Sequence, residues 1–225
     1  MSNNKNRDYN AYRQAGLKDV YEKGGDYSIF MVCDKINRDA FRPLPHGYSF
    51  RLCRPDELEI WKRVVVEEQY VDYVTEYFDK VYAKNEAEFF RRCLFVCDAN
   101  NTPVASCFIW RSYGQINTVG WFRVLPQHEG NGLGRALLSK IFETAEYPLY
   151  LHTHPTSLCA LKLYSDFGFA IITNKGNIGY RSNDIQDCLP YLKKTMPETE
   201  FAKLRFIEID HTLHEISLSS EQSEF

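Results

Sequence analysis

Short apolar or alternating stretches recur along the chain, and this pattern is typical of β-strands. Between two of them, residues 98–103 have the turn-forming composition Asp-Ala-Asn-Asn-Thr-Pro, which predicts a hairpin. The predicted strands are residues 27–33, 48–53, 94–97, 104–110, 115–124, 148–153, 169–173 and 204–209.

Apolar residues that repeat every three or four positions predict helices in other segments. These are residues 54–92 in two pieces, the stretch from the glycines at 130–134 to 145, residues 156–167, and the stretch from 184 onward. Pro55 marks the start of the first helix. Thr156 is the expected N-cap of the third helix and Gly168 its C′ residue. Pro190 and Pro197 are expected to break the last helical segment.

The order of these elements predicts the fold class. A strand, helices, three antiparallel strands, and then helix, strand, helix, strand indicate an α/β (α+β) fold. We expect a central mixed, mostly antiparallel twisted sheet of about six to seven strands, flanked by helices. The expected divisions are a flexible tail at 1–25, an extension with a short strand at 26–47, a core at 48–173, and a helical extension and tail at 174–225.

Composition excludes several classes of protein. Of 225 residues, 44% are hydrophobic, which is enough for a packed core, and the net charge of −3 argues against a nucleic-acid-binding role. No window approaches the roughly 20 apolar residues of a membrane span. The polar start of the sequence does not resemble a signal peptide, so we expect a cytoplasmic protein.

Seven scattered cysteines, an odd number without a CxxC pair, predict reduced and mostly buried thiols. Cys93 and Cys97 are four residues apart, but no second pair completes a zinc site. His152 and His154 share one face of a predicted strand and have no third ligand. We therefore expect no metal.

Three glycines, Gly130, Gly132 and Gly134, stand between a predicted strand and a predicted helix. A glycine-rich turn at a helix start makes an anion site, because unpaired N–H groups and a partial positive charge meet there. The spacing excludes the mononucleotide-binding loop G-x-x-x-x-G-K-[ST], since Arg135 and Ala136 follow the last glycine. It also excludes the dinucleotide-binding fingerprint G-x-G-x-x-G. The glycines alone leave a bare turn and an anion site as alternatives.

The surroundings of the glycines resemble a known signature. The stretch VLPQHEGNGLGRALL, residues 124–138, resembles the acetyl-CoA motif [R/Q]-x-x-G-x-[G/A] of the GCN5-related N-acetyltransferase (GNAT) superfamily, which follows a strand of the V-x-P type. Downstream, ALKLYSDFGF at 160–169 resembles the family's second motif, A-x-x-L-Y-x-x-x-G-F. The resemblance covers about residues 48–173 and implies the GNAT fold.

Two positions depart from the family pattern. Glu129 stands where the family has Arg or Gln, and we expect its side chain to point to solvent. Arg135 could compensate for that missing positive charge. Ser157 stands where the family often has Asn, and its hydroxyl retains a shorter-reaching hydrogen-bonding group.

The resemblance implies that acetyl-CoA is the co-substrate, and that its acetyl group passes to a primary amine of a small molecule or peptide by direct attack in a ternary complex. The implied cofactor-binding residues are Phe122, Arg123 and Val124 along the pantetheine arm, Glu129, Gly130, Asn131, Gly132, Leu133, Gly134 and Arg135 around the pyrophosphate, and Ser157, Ala160 and Tyr164 in the second motif.

The resemblance also implies that Tyr164 protonates the departing sulfur, although periodicity alone fits a core aromatic residue equally well. The general base is not evident, because the strand at 115–124 contains no carboxylate. Candidates are Glu67, Glu68, His152 and a water relay. Each side chain also has a purely structural explanation. Glu67 and Glu68 would lie on a solvated helix face, and His152 would be a partly buried side chain whose hydrogen bonds are satisfied.

An aromatic stripe on the early helices is compatible with core packing or with a wall over an amine substrate. Its members are Trp61, Tyr70, Tyr73 and Tyr77. The same helices suit either a lid or a homodimer surface.

Two other functions stay open: a CoA-binding sensor or pseudoenzyme, and a toxin that acetylates aminoacyl-tRNA, which the acidic net charge disfavours.

Overall fold

The computed structural model describes residues 27–178, 181–210, 215 and 224. Backbone contacts divide these residues into two compact units. The continuous unit contains residues 38–149 together with Glu224, and the split unit contains residues 27–37 together with the described residues from 150 to 215.

Four antiparallel strands form the sheet of the continuous unit, in the order β5-β4-β3-β2. The strands are β2 (Ser49–Leu52), β3 (Leu94–Cys97), β4 (Pro103–Ser112) and β5 (Ile116–Val124). The predicted hairpin between β3 and β4 is confirmed. In its turn, Asp98 Oδ1 accepts the backbone N–H groups of Asn100 and Thr102, each at 2.9 Å.

The helical segment of this unit is more broken than the predicted two pieces. Its α-helices are α1 (Leu58–Val65), α2 (Val71–Tyr77) and α3 (Glu86–Arg92), with 3-10 turns at Pro55–Glu57, Glu68–Tyr70 and Ala83–Asn85 and a π-helical turn at Phe78–Tyr82. These turns bring Trp61, Phe78, Tyr82 and Phe89 into one buried aromatic cluster. Tertiary packing of these rings therefore decides where each helix ends. A further helix, α4 (Leu133–Phe142), follows the glycines.

Strands of the split unit follow the order β10-β7-β1-β6. They are β1 (Ile29–Cys33), β6 (Leu149–Thr153), β7 (Ala170–Ile172) and β10 (Phe206–Ile207), with a separate pair, β8 (Asn177–Ile178) and β9 (Arg181–Ser182). β1 is antiparallel to β7, whereas β10 is parallel to it. The predicted mixed, mostly antiparallel sheet with flanking helices is confirmed.

The split unit contains α5 (Leu158–Asp166), α6 (Ile185–Thr195) and α7 (Glu198–Phe201). The prediction of Thr156 as an N-cap was wrong, because Ser157 is the N-cap of α5 and makes no side-chain cap bond. A turn in which Ser157 N–H donates to the His154 carbonyl delays the helix start. Gly168 is confirmed as the C′ residue: its φ is +99°, and Phe169 N–H donates to the Tyr164 carbonyl, as in a Schellman motif.

The expected break at Pro190 was also wrong, because α6 runs through this residue. Ile185, Cys188 and Leu192 on this helix are buried, and their packing outweighs the hydrogen bond that proline removes. The break at Pro197 is confirmed. Met196 before it has extended backbone, as a following proline requires.

The predicted boundaries at 26–47, 48–173 and 174–225 stay a prediction, and the tail predicted at 1–25 lies outside the described residues. The short strand expected in the first of these segments exists as β1.

All seven cysteines are free, and six are buried while Cys159 is exposed. No helix in the described part of the chain is long and apolar enough to cross a membrane.

Candidate functional site

A β-bulge interrupts the pairing of β5 with β4 close to the carboxyl end of β5. Phe108 pairs with Gly120 and Ser106 pairs with Arg123, so that two residues of β5 lie opposite the single residue Cys107. One of these two, Trp121, has a φ of +52°, which is an uncommon conformation for a bulky side chain. Such bulges redirect backbone groups away from the ladder and are frequent near active sites.

The side chain of Trp121 is partly buried and packs against the aromatic cluster, which holds the bulge in place. Its indole Nε1–H donates to the Tyr82 hydroxyl at 2.8 Å, and its ring packs edge-on against Tyr77 with centroids 5.3 Å apart. Burial raises the pKa of Tyr82 well above its ordinary value, so the phenol stays protonated. Sequence reasoning did not identify Tyr82 or the bulge, because neither produces a local pattern.

Two of the three glycines, Gly130 and Gly132, lie in the turn that precedes α4 (the glycine turn), and the third, Gly134, lies in the first turn of this helix. Gly130 has a φ of +79° and Gly132 a φ of +81°, and Gly132 is the N-cap residue of α4. Gly132 accepts the Ala136 N–H at 3.1 Å, so the N–H groups of residues 133–135 precede the first intrahelical bond. These N–H groups and the positive end of the helix dipole suit an anion such as a pyrophosphate.

Residues 129–132 are exposed, and the glycine turn is therefore accessible to a ligand. Glu129 is among these exposed residues, in line with the expectation that its side chain points to solvent. Leu133, in contrast, is buried and anchors the first turn of α4 in the core.

A proline-rich link before β2, residues 38–48, supports the glycine turn. The Arg135 guanidinium donates to the Ala40 carbonyl at 3.3 Å, and the Tyr48 hydroxyl lies 3.2 Å from His128 Nδ1. A Cβ at Gly132 would lie 3.8 Å from Pro45 Cγ. The sequence analysis placed most of this link in the extension at 26–47, and its contribution to the turn was missed.

Arg135 therefore has a structural partner in addition to its predicted role at the pyrophosphate. Its backbone carbonyl accepts the Ser139 hydroxyl at 2.8 Å, and Ser139 in turn accepts the Arg42 N–H at 3.0 Å. These bonds tie the first turns of α4 to the link, which stabilises the geometry of the turn.

Both glutamate candidates for the general base are exposed. Glu67 Oε1 lies 3.9 Å from an Arg123 guanidinium nitrogen, which places this carboxylate near the carboxyl end of β5. Glu68 begins the short 3-10 turn that precedes α2. Of the aromatic stripe, Trp61 is fully buried, whereas Tyr70 and Tyr73 are about half exposed, at 54% and 49%. Tyr77 is partly buried and packs against the aromatic cluster, so the stripe has one core member, one intermediate member and two surface members.

The second motif lies in the split unit. Tyr164 is on α5, is 5% exposed, and has its ring centroid 5.8 Å from that of Phe169. Ser157 and Ala160, at the N-terminal end of the same helix, are both partly exposed. The Schellman motif at Gly168 holds the end of α5 and turns the chain into β7.

His152 is on β6, also in the split unit. Its Nε2 lies 3.1 Å from the Ser28 hydroxyl, and its ring is 4.8 Å from that of His154. Burial first, and then the charges of Arg181 and His154, hold the pKa of His152 well below its ordinary value. His152 is consequently neutral at physiological pH and has a hydrogen-bond partner within its own unit.

No three His, Cys, Asp or Glu side chains among residues 27–178, 181–210, 215 and 224 are placed to hold a metal ion.

Comparison with known proteins identifies the family. Residues 58–169, which include the bulge, the glycine turn and α5, match the model of the Acetyltransferase (GNAT) family. Among solved structures, a GCN5-related N-acetyltransferase from Sphaerobacter thermophilus matches with 19% identity and a TM-score of 0.49, covering 68% of this chain and 51% of that chain.

A GCN5-related N-acetyltransferase-like protein from Streptococcus suis matches with 17% identity and a TM-score of 0.42, covering 68% of this chain and 62% of that chain. This chain thus spans about half the length of the Sphaerobacter protein. No curated protein matches the sequence.

Proposed function

The chain belongs to the GCN5-related N-acetyltransferase superfamily, and on that premise we propose that it transfers an acetyl group from acetyl-CoA to a primary amine of a small molecule or peptide. The observation that carries the proposal is the segment that runs from the bulge at Trp121 to Gly132, the N-cap residue of α4, whose backbone is in the left-handed conformation. At one end of this segment the bulge redirects backbone groups, and at the other end lies the N-terminus of a helix.

The cofactor fits the chemistry of these groups. Backbone groups of Phe122, Arg123 and Val124 would bind the pantetheine arm, while the N–H groups of residues 130–135 would hold the pyrophosphate. Ser157 and Ala160 of the second motif would contact the cofactor as well. When bound, acetyl-CoA supplies a thioester whose carbonyl carbon is open to attack by an amine.

The residues of this chain would then orient and polarise the reactants. A backbone N–H at the bulge would stabilise negative charge on the carbonyl oxygen. Tyr164 would donate its proton to the departing sulfur, and its low exposure keeps competing water away. Direct attack within a ternary complex requires that both reactants be held in near-attack geometry.

A CoA-binding sensor without catalysis is the second candidate. Two observations favour it: β5 contains no carboxylate, and Glu129 stands where the family has a cation or an amide. In this case the glycine turn would bind the cofactor, but no acetyl group would be transferred.

Three measurements test the proposal. Isothermal titration calorimetry with acetyl-CoA in low-salt buffer is expected to show one-site binding, and thermal unfolding with acetyl-CoA present is expected to show an increase in Tm. A thiol-release assay with acetyl-CoA and a panel of primary amines, including small amines and peptides, is expected to show amine-dependent turnover. Binding without turnover would favour the sensor, and the absence of binding would refute both candidates.

A further inference from the structure

One face of the sheet in the continuous unit is only partly covered by α4, which packs against it. Alternate residues of β4 lie on this face. Ala105 and Cys107 are fully buried there, whereas Ile109 is only partly buried. Arg111, the next residue of β4 on this face, is exposed. The helix ends at Phe142, and it therefore leaves the part of the sheet nearest the β4–β5 turn uncovered.

A cleft of about 390 Å³ lies between the end of α4 and this uncovered part of the sheet. Leu52, Leu94 and Ile109 line it from three neighbouring strands, and Ile141 lines it from the helix. Leu52 is 46% exposed, and the other three side chains are partly exposed. Sites for small ligands typically have volumes of roughly 300–1,000 Å³ and mostly apolar walls. The size and the lining of this cleft therefore suit a small molecule with an apolar body.

The charged residues around the cleft are mostly cations, although the chain as a whole has a net charge of −3. Three cations and one carboxylate line it, namely Arg92, Arg111, Lys140 and Glu146. Arg92 also pairs with Glu88, and Lys140 pairs with Glu143. These pairs are partly exposed, so that water screens them and leaves both cations able to attract a further anion.

Arg111 is the cation of the cleft that has no carboxylate partner among residues 27–178, 181–210, 215 and 224. Its Nε–H donates to the Gly114 carbonyl at 2.9 Å, which holds the side chain beside the β4–β5 turn. The Nη groups of Arg111 remain for another acceptor. Arg92 Nη1 donates to the Ile109 carbonyl at 3.4 Å, so a second guanidinium approaches the same strand. An anion placed between two like charges stabilises both of them.

We propose that this cleft binds an organic anion with an apolar body, of the class of medium-chain carboxylates. The carboxylate lies against Arg111, whose fork of N–H donors matches its geometry. The apolar chain covers Leu94, Ile109 and Ile141 and removes their exposed surface from water. The helix dipole favours this orientation, because the negative C-terminal end of α4 lies on the side away from the carboxylate.

This site is separate from the proposed cofactor site. Ile141 lies nine residues after Gly132 on the same helix, which corresponds to about 14 Å along its axis. The inference goes beyond the proposed acetyltransferase function and does not rest on it. A ligand in the cleft and acetyl-CoA at the glycine turn are therefore expected to bind at the same time.

Decanoate is the probe for the first test, and decanol and butyrate are its controls. Decanol keeps the apolar chain without the charge, whereas butyrate keeps the charge with a much shorter chain. Isothermal titration calorimetry is expected to show one-site binding of decanoate to the wild-type protein, and binding at least tenfold weaker for each control. Equal binding of decanol and decanoate would overturn the inference, because the cations would then contribute nothing.

Matched substitutions locate the bound decanoate. Arg111→Gln is expected to raise its Kd at least tenfold, whereas Arg63→Gln, at an exposed arginine on α1, should keep the wild-type Kd. Leu52→Ser is expected to raise the Kd at least threefold, and Ile60→Ser, at a side chain on α1 that is 42% exposed, should not raise it. Thermal unfolding verifies that each variant is folded. Unchanged binding in both Arg111→Gln and Leu52→Ser would show that decanoate binds elsewhere.

The remaining outcomes distinguish this site from other uses of the surface and from the cofactor site. A synthetic peptide of alternating Leu and Glu that binds through Arg111 more tightly than decanoate would make the cleft a protein-docking surface and overturn the small-ligand assignment. The Kd for decanoate should be unchanged at saturating acetyl-CoA, and displacement by acetyl-CoA would also overturn it. If the protein binds no acetyl-CoA, the proposed function fails, while the decanoate titration still decides this inference.

Discussion

The indole N–H of Trp121 donates to the hydroxyl of Tyr82 across 39 residues of sequence, at a distance of 2.8 Å. This bond joins the bulged end of β5 to the π-helical turn at Phe78–Tyr82. Because Trp121 has a positive φ, the bond helps to hold a backbone conformation that would otherwise relax. The aromatic cluster thus supports the part of β5 to which we assign the reacting thioester.

Removal of the Tyr82 hydroxyl should therefore destabilise the fold. Tyr82→Phe leaves the Trp121 N–H without its acceptor in a partly buried position, and we expect a loss of about 1–3 kcal/mol in the free energy of unfolding. Urea denaturation measures this loss. Tyr70→Phe, at a half-exposed tyrosine, is the matched control and should change stability by less than about 0.5 kcal/mol. Equal effects of the two substitutions would show that the bond contributes nothing.

The left-handed backbone of Gly132 should be required for cofactor binding. Alanine in this conformation costs about 1–2 kcal/mol, although its Cβ would meet only Pro45 Cγ at an ordinary 3.8 Å. Gly132→Ala is expected to weaken acetyl-CoA binding at least tenfold by calorimetry, because the turn must change shape. Gly176→Ala, at a φ of +107° in the split unit, carries a comparable strain and should keep the wild-type Kd. A wild-type Kd for Gly132→Ala would contradict the assignment of the anion site.

Tyr164 should affect turnover but not binding. If its hydroxyl protonates the departing sulfur, Tyr164→Phe lowers kcat at least tenfold while the Kd for acetyl-CoA stays close to wild type. The ring would remain packed near Phe169, so the fold should be retained. Tyr191→Phe on α6, outside residues 58–169, is the control and should leave kcat unchanged. An unchanged kcat in Tyr164→Phe would rule out its role as the acid.

His152 should make the protein less stable in mild acid. Its pKa in the folded state lies well below the ordinary value of 6.5, so the unfolded chain binds a proton at a pH where the folded chain does not. The free energy of unfolding should therefore fall as the pH drops below 6.5 towards the folded-state pKa. In His152→Asn this part of the pH dependence should disappear, as measured by urea denaturation at pH 7.5 and pH 5. An equal loss of stability in both proteins would mean that other groups cause it.

The local chemistry of the sequence was enough to predict much of the fold. Apolar periodicity predicted the strands and most helices, because burial of one face imposes a period of two or about 3.6 residues. Where periodicity competed with packing, the predictions were wrong: α6 continues through Pro190, and the segment at 54–92 forms three short α-helices around a buried aromatic cluster.

By itself, the sequence determined the elements whose physical cause is local. Gly132 and Gly168 both adopt the positive φ that glycine tolerates best, and each marks a helix boundary that could be predicted from composition and spacing. Only the tertiary structure decided the rest. The bond between Trp121 and Tyr82, the support of the glycine turn by residues 38–48, and the contact of Glu224 with Tyr113 join residues far apart in sequence. Such contacts depend on how buried side chains pack, and no periodic pattern along the chain encodes them.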